Sequence, residues 1–516
     1  MAATYTLRWL DCAALALALY VLRAWARARR RAGRLPLPPG PPPLPVLGNL
    51  LDIPREKPWL TYTAWGKQYG EVTSLTVPGR IIVFVNSARA AKDLFERTGT
   101  RYLDRPVIPM MEMMEAHFNL AITRYSDKWR VERRIIDQSL RPSAAVAYLG
   151  MQRTKAHAFL RQVLHHPENH MEYLKHFTGA VVMSLVYGYE VKEENDHFIG
   201  IAEKLLNLAS ESILPGALLV NDFPVLRHLP DWLPGMGFKD RARHGVQLSK
   251  EMVNAPFDRV KEEMEKGTAR RSLVRDNLLE MEGDGEEGAL RNAAASVYAA
   301  GAETTISTLS TFFLILLLYP DVQARAQAEL DAVLGGARLP DYVDRAALPY
   351  VDAVCKELLR WRLVLPLGVA HATTENDVYN GYFIPKGATV LPNAWAILHD
   401  EAAYPEPDAF RPERYLAPNG SVRDDPLLPA AFGFGRRMCP GRHLVDTTLW
   451  VLVASVLAVY KVEKAKDADG KEIPVAPEYT DTLISHPAPF QCTITPRHER
   501  SVELILATVA ERDQQD

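Results

Sequence analysis

A chain of 516 residues, 47% hydrophobic and 24% charged, has the make-up of a globular protein and excludes a disordered or collagen-like one. Its 60 basic and 63 acidic residues leave a net charge of −3, so no global field attracts nucleic acid. Four scattered cysteines (Cys12, Cys355, Cys439 and Cys492) include no CxxC pair, which excludes a disulfide scaffold or zinc ribbon and fits a reducing compartment.

The apolar run at residues 10–22 is followed at once by Arg23, Arg27, Arg29, Arg30, Arg31 and Arg34. A cleaved secretory signal carries its charge before the run. Charge placed after it holds that side in the cytosol, so residues 1–34 read as a single-pass anchor with a cytosolic body. The run is short against the roughly 20 residues of a span and contains Asp11, so an interfacial amphipathic helix is the alternative. Residues 35–50 hold seven prolines and read as a polyproline spacer, a hinge between anchor and body, with an SH3-type ligand as the alternative.

Residues 51–516 read as one large domain, mainly α with a minor β portion. Residues 71–77 and 80–85, split by Pro78-Gly79, predict a β-hairpin. Residues 289–318 predict one unbroken apolar helix about 45 Å long, the axis of a large core. Pro320 opens another helix as its natural first residue. Residues 378–390 predict a strand pair, and residues 442–460 an apolar helix.

Chemistry concentrates in Phe432-Gly433-Phe434-Gly435-Arg436-Arg437-Met438-Cys439-Pro440-Gly441. A cysteine at the mouth of a helix has its thiolate favoured by the dipole and by free N–H groups. The glycines let a tight loop approach a flat ligand, and Arg437 supplies a cation for a carboxylate at its rim. These are the needs of a cysteine-ligated haem iron. In the long helix, Ala300-Gly301-Ala302-Glu303-Thr304-Thr305 leaves room for a flat body against the backbone, and Thr304 can bond back to a carbonyl one turn earlier. A small-residue packing seam is the alternative. Glu357 and Arg360 share a helix face, and Arg414 lies some fifty residues on.

With these residues the sequence resembles the cytochrome P450 superfamily. Phe432, Gly435, Arg437, Cys439 and Gly441 fill the fixed positions of its haem-binding loop, and the other motifs follow in the family's order. Among its members the chain looks most like fungal microsomal monooxygenases of the O-methylsterigmatocystin oxidoreductase kind. The resemblance implies the cytochrome P450 fold, with haem b between the long central helix and the loop carrying Cys439, the axial ligand of the iron. It implies that Glu303 and Thr304 relay protons to the oxygen being activated. Trp129, Arg133, His371 and Arg437 are then the residues that reach the haem propionates, while Glu357, Arg360 and Arg414 form a buried structural cluster.

The resemblance also places residues 109–118, with Met110, Met111, Met113, Met114 and Phe118, over the substrate pocket. Tyr298, Ala299 and Ala302, residues 364–368 and residues 483–485 are further expected liners. Nearly all are apolar, so the expected substrate is lipophilic: a terpenoid, a steroid-like or a polycyclic aromatic compound. Lys128, Arg130, Arg134, Arg436 and Arg442 form the expected docking face for NADPH–cytochrome P450 reductase, with cytochrome b5 as an additional partner. NADPH thus acts only indirectly, since the chain shows no flavin or NADPH domain of its own. The implied location is the endoplasmic reticulum membrane. The competing readings are a haem-thiolate isomerase or dehydratase, and a non-enzymatic haem- or steroid-binding membrane protein.

Overall fold

The computed structural model describes residues 35–193, 195–213, 218–281, 283 and 286–512; the anchor expected over residues 1–34 lies outside them. Contacts group the chain into two units, one of residues 35–106 and 369–396, the other of residues 107–368 and 397–512.

In the smaller unit, helix α1 (Pro58–Tyr69) precedes strands β1 (Val72–Val77) and β2 (Arg80–Val85). The two strands pair antiparallel, with Gly79 taking the positive φ that the turn requires. The chain returns to this unit with β3 (His371–Ala372), β4 (Asp377–Tyr379), β5 (Tyr382–Ile384) and β6 (Thr389–Pro392). The sheet order is β1-β2-β6-β3, with β6 parallel to β2. The predicted strand pair is thus β4–β5, closed by Asn380-Gly381 with both φ angles positive, the signature of a tight hairpin. Val390 belongs instead to the larger sheet. Leu75, Val83, Phe84 and Val85 are fully buried, and Tyr62 of α1 stacks on Phe84 at 3.9 Å.

The proline-rich segment, expected as a spacer, is fastened to β1 of this sheet and to β5 of the separate β4–β5 hairpin. Prolines offer no N–H, so their carbonyls do the work: Pro39 accepts from Ser74 N (3.0 Å), Pro38 from Ser74 Oγ (2.6 Å) and Pro36 from Phe383 N (2.7 Å).

The larger unit is mainly helical. Its principal helices are α2 (Pro109–Met113), α3 (Asp127–Leu140), α4 (Leu149–His165), α5 (His170–Tyr187), α6 (His197–Ile213), α7 (Phe238–Glu265), α8 (Glu287–Leu318), α9 (Pro320–Leu334), α10 (Pro349–Trp361), α11 (Arg442–Val459) and α12 (Glu499–Arg512). Strands β7 (Tyr460–Lys464) and β8 (Cys492–Pro496) pair antiparallel. The long helix α8 starts two residues earlier than its apolar pattern, because Glu287 is held by Lys261 (2.8 Å) and Arg291 (3.0 Å). Helix α11 stops at Val459, and Tyr460 turns its hydroxyl to the Leu160 carbonyl (2.6 Å). Both α8 and α11 are long and apolar enough to cross a membrane, yet 72% and 67% of their apolar windows are buried within the unit. They serve here as core helices, α8 running through two hydrophobic clusters.

Candidate active site

The loop at 432–441 is closed by its own backbone. Cys439 N donates to Phe432 O (2.8 Å) and Met438 N to Gly435 O (3.1 Å). Gly433, at φ 87° and ψ −162°, occupies a region essentially reserved for glycine. Gly441, at φ −80°, is not forced by its backbone; a Cβ there would lie 3.8 Å from the Cys439 sulfur. Gly441 is the N-cap of α11, so the half-buried Cys439 stands at the helix mouth. Burial pushes its thiol pKa up, while the N–H groups of Gly441 and Arg442 and the charges of Arg133 and Arg442 pull it down. The expected thiolate-favouring groups are therefore in place, although desolvation outweighs them.

Arg437 is buried, its guanidinium 4.2 Å from the Trp129 ring and donating to the carbonyls of Thr123 (2.9 Å) and Leu120 (3.3 Å). Trp129 sits in the first turn of α3, whose N-cap Ser126 accepts from Trp129 N (3.2 Å). Its indole N–H also points to Leu120 O, at 3.3 Å. Arg133, one turn on, donates to Asp137 (2.8 Å). Leu120 N in turn donates to Ser296 Oγ of α8 (2.9 Å). The structure thus joins Trp129, Arg437 and Cys439's loop to the long helix through Leu120, a residue that sequence reasoning missed because only its backbone takes part.

On α8, Ser296, Ala300 and Thr304 recur at i, i+4 and i+8 and so share one face. Ala300 is exposed although Ala293 to Ala299 before it are all buried. The Thr304 hydroxyl donates back to Ala300 O (2.9 Å), as its position predicts. The room at Gly301 is used differently from the expectation: a Cβ there would come within 2.6 Å of Val182 on α5. One helical step of about 100° turns Gly301 away from the Ala300 face and into a close helix–helix contact. Tyr298 is likewise no liner. It is fully buried against Tyr187, with its hydroxyl on the Phe198 carbonyl.

Glu303 faces His486, whose Nε2 is 3.0 Å from its Oε1. This partner also escaped sequence reasoning, since nothing in the sequence links two residues so far apart. The expected liners at 364–368 and 483–485 do meet: Ser485 N donates to Val364 O (2.9 Å), and Ser307 Oγ of α8 donates to Ser485 O. Met110, Met111, Met114 and Phe118 are buried in one apolar cluster with residues of α5, α6, α7 and α8.

The acid–arginine cluster forms as expected. Glu357 is fully buried, bonded by Arg360 Nε (2.7 Å) and Nη2 (2.8 Å), by Arg414 Nε (3.2 Å) and by Arg411 N (2.9 Å). His371 is the one predicted site residue placed by the smaller unit. There its Nδ1 lies 2.7 Å from Tyr102 O and its ring packs on Phe95 at 4.5 Å.

The site thus brings together a half-buried cysteine framed by amides, a buried arginine–tryptophan pair and a long helix with one open face. In comparison with known proteins, residues 38–494 match the cytochrome P450 family model. The chain is 41% identical over 500 residues to cytochrome P450 monooxygenase 208 of Postia placenta, covering 96% of this chain and 97% of that one. It is 38% identical over 501 residues to cytochrome P450 monooxygenase COX1 of Coprinopsis cinerea, covering 95% and 96%. It is 37% identical over 489 residues to tryptamine 4-monooxygenase of Psilocybe cyanescens, covering 92% and 96%. The chain belongs to the cytochrome P450 family, and it is an oxidoreductase of the monooxygenase class that incorporates oxygen.

Proposed function

We propose that this chain binds haem b through Cys439 and uses molecular oxygen, with electrons from a separate NADPH-dependent reductase, to hydroxylate or epoxidise a lipophilic substrate. The observation that carries this reading is the Cys439 sulfur at the mouth of α11, with two backbone N–H groups near it and Arg437 held buried on Trp129. The residues fit the group: a coordinating thiol is deprotonated outright, and Ala300 gives α8 a side-chain-poor surface. Haem-thiolate iron supplies the cleavage of the O–O bond.

The chain's own residues do the rest. Gly433 and the Cys439–Phe432 bond fix the sulfur's position. Arg437, Trp129 and Arg133 hold the cofactor's acidic rim, and the family resemblance assigns His371 the same kind of role. Thr304 orients proton donors on the exposed face of α8, and Glu303 passes protons to it.

Met110, Met111, Met114 and Phe118 are about as buried as Tyr298, so they mark this region as apolar without lining it. That apolarity supports a substrate without a strong charge, such as a terpenoid, a steroid-like or a polycyclic aromatic compound. One relative is named for tryptamine, so small aromatic amines belong in the same binding screen. For the reductase, Arg130 and Arg436 both act on Tyr125, so basic side chains from α3 and from the cysteine loop come together there. For the membrane, Leu219, Phe223, Val225 and Trp232 are exposed, whereas Met236 and Phe238 just beyond them are buried.

The test is Thr304→Ala with reductase, NADPH and substrate. Reducing equivalents should leave as hydrogen peroxide, and product should fall by roughly 10²-fold or more. Peroxide supplied directly should restore more activity than NADPH does. Equal losses in both assays would make Thr304 a pocket-shaping residue only.

A further inference from the structure

Glu303 and His486 form an ion-pair contact at the open side of α8. The side chains are 29% and 24% exposed, so the pair touches solvent on one side and the helix on the other. The histidine is held by a tight turn: Thr480 N donates to His486 O (2.8 Å), His486 N to Thr480 Oγ1 (3.0 Å) and Ser485 Oγ to Thr480 O (3.2 Å). That turn is pinned to α8 itself, because Ser307, one turn beyond Glu303, donates to Ser485 O. The imidazole therefore approaches Glu303 from an element anchored on the same helix.

Besides His486, one other charged group acts on this carboxylate. Lys175 of α5 acts on it electrostatically, but its ammonium is bonded to Glu203 (3.2 Å) and half exposed, so solvent screens it. Among the described residues His486 alone bonds Glu303 directly. Burial would push the Glu303 carboxyl up, and the His486 hydrogen bond overrides that and holds it below the ordinary glutamate range.

We propose that His486 is the positioning residue for Glu303, orienting its carboxylate and feeding it protons from solvent. The proton balance is simple. The imidazolium Nε2–H proton passes to Glu303 Oε1, leaving a neutral imidazole and a carboxylic acid. Glu303 hands its proton on toward Thr304, and the imidazole is reprotonated by a hydronium ion or buffer acid in the solvent. This rests on the reading of Glu303 as the acid of the proton relay. It adds a member that the acid–alcohol pair does not include.

Three variants separate the possibilities: Glu303→Gln, His486→Gln, which keeps a neutral donor, and His486→Ala. The first readout needs no turnover. The protonated-carboxyl infrared band that is missing in Glu303→Gln should appear at higher pH in His486→Ala than in the parent, because burial then acts unopposed. The second readout is peroxide released per NADPH against pH, with reductase present. Both His486 variants should release several-fold more peroxide than the parent, with that excess shrinking as pH rises, while directly supplied peroxide supports normal turnover. An unmoved carboxyl band, or parent-like coupling in both His486 variants with Glu303→Gln uncoupled, overturns the His486 assignment alone. Parent-like coupling in Glu303→Gln overturns the relay reading itself.

Discussion

The cysteine loop and the middle of α8 carry the two halves of the proposed chemistry, and they are built in opposite ways. The loop is local: its positioning bonds close within ten residues, and Gly433 fixes its shape through a backbone conformation other residues resist. The α8 centre is distant in its contacts. Gly301 answers to Val182, Ser296 to Leu120, and Glu303 to His486. The sulfur's position, fixed within the loop, is insensitive to how the helices around it pack, although Arg437 of the same loop reaches out to Leu120 and Trp129. The α8 centre inherits every shift of its partner helices. The difference suits the roles proposed for them, a fixed metal ligand on one side and a proton path open to solvent on the other.

The sharpest break comes from Cys439→Ala, which should abolish the thiolate-type spectrum of the reduced carbon monoxide complex and all turnover. Cys355→Ser should retain both, since Cys355 is fully buried among core residues and its thiol is pushed well up by burial. Next is Glu357→Gln, which strips charge from a carboxylate that compensates two buried arginines. It should cost about 3–5 kcal/mol, read by thermal unfolding of the holoprotein.

His157 lies outside both regions and limits the pH range in which they can be compared. Burial, with help from Arg153 and Arg161, pushes its pKa down to about 4. The unfolded chain therefore binds the extra proton between about pH 6.5 and 4, and folding stability falls as pH falls through that window. The loss should reach about 3 kcal/mol, and His157→Gln should flatten the slope in urea titrations.

Gly301→Ala tests the remote half. Its methyl would enter Val182, so unfolding should become easier by about 1–3 kcal/mol. On the local half, Gly433→Ala should cost about 1–3 kcal/mol through backbone strain, whereas Gly441→Ala should be nearly neutral in unfolding and alter only the carbon monoxide band. A Gly441→Ala loss as large as that of Gly433→Ala would remove the distinction drawn within the loop.

What was legible in the sequence follows the same division. The loop and the Thr304 back-bond could be read because their determinants lie within one turn of each other. The hairpin at β1–β2 and the course of α8 were visible in apolar patterning and in Pro-Gly punctuation. The facing of α8 was not: composition shows that residue 301 is small without showing which neighbour needs it small, and Tyr298 was misplaced for the same reason. His486 carries no local pattern at all. The acid–arginine cluster was readable only through family resemblance, because an i,i+3 pair on a helix is ordinarily a surface pair. The docking of the proline-rich segment was not legible, because it depends on acceptors meeting Ser74 and Phe383.

Leu120 makes a practical point about how such a site is to be dissected. Its N–H serves Ser296 and its carbonyl serves Trp129 and Arg437, so neither bond depends on what side chain the residue bears. Conventional side-chain scanning is blind to a junction of this kind: Leu120→Ala would report only lost packing. Replacing the amide by an ester, which deletes the N–H or weakens the carbonyl one at a time, is the substitution that would uncouple the long helix from the arginine.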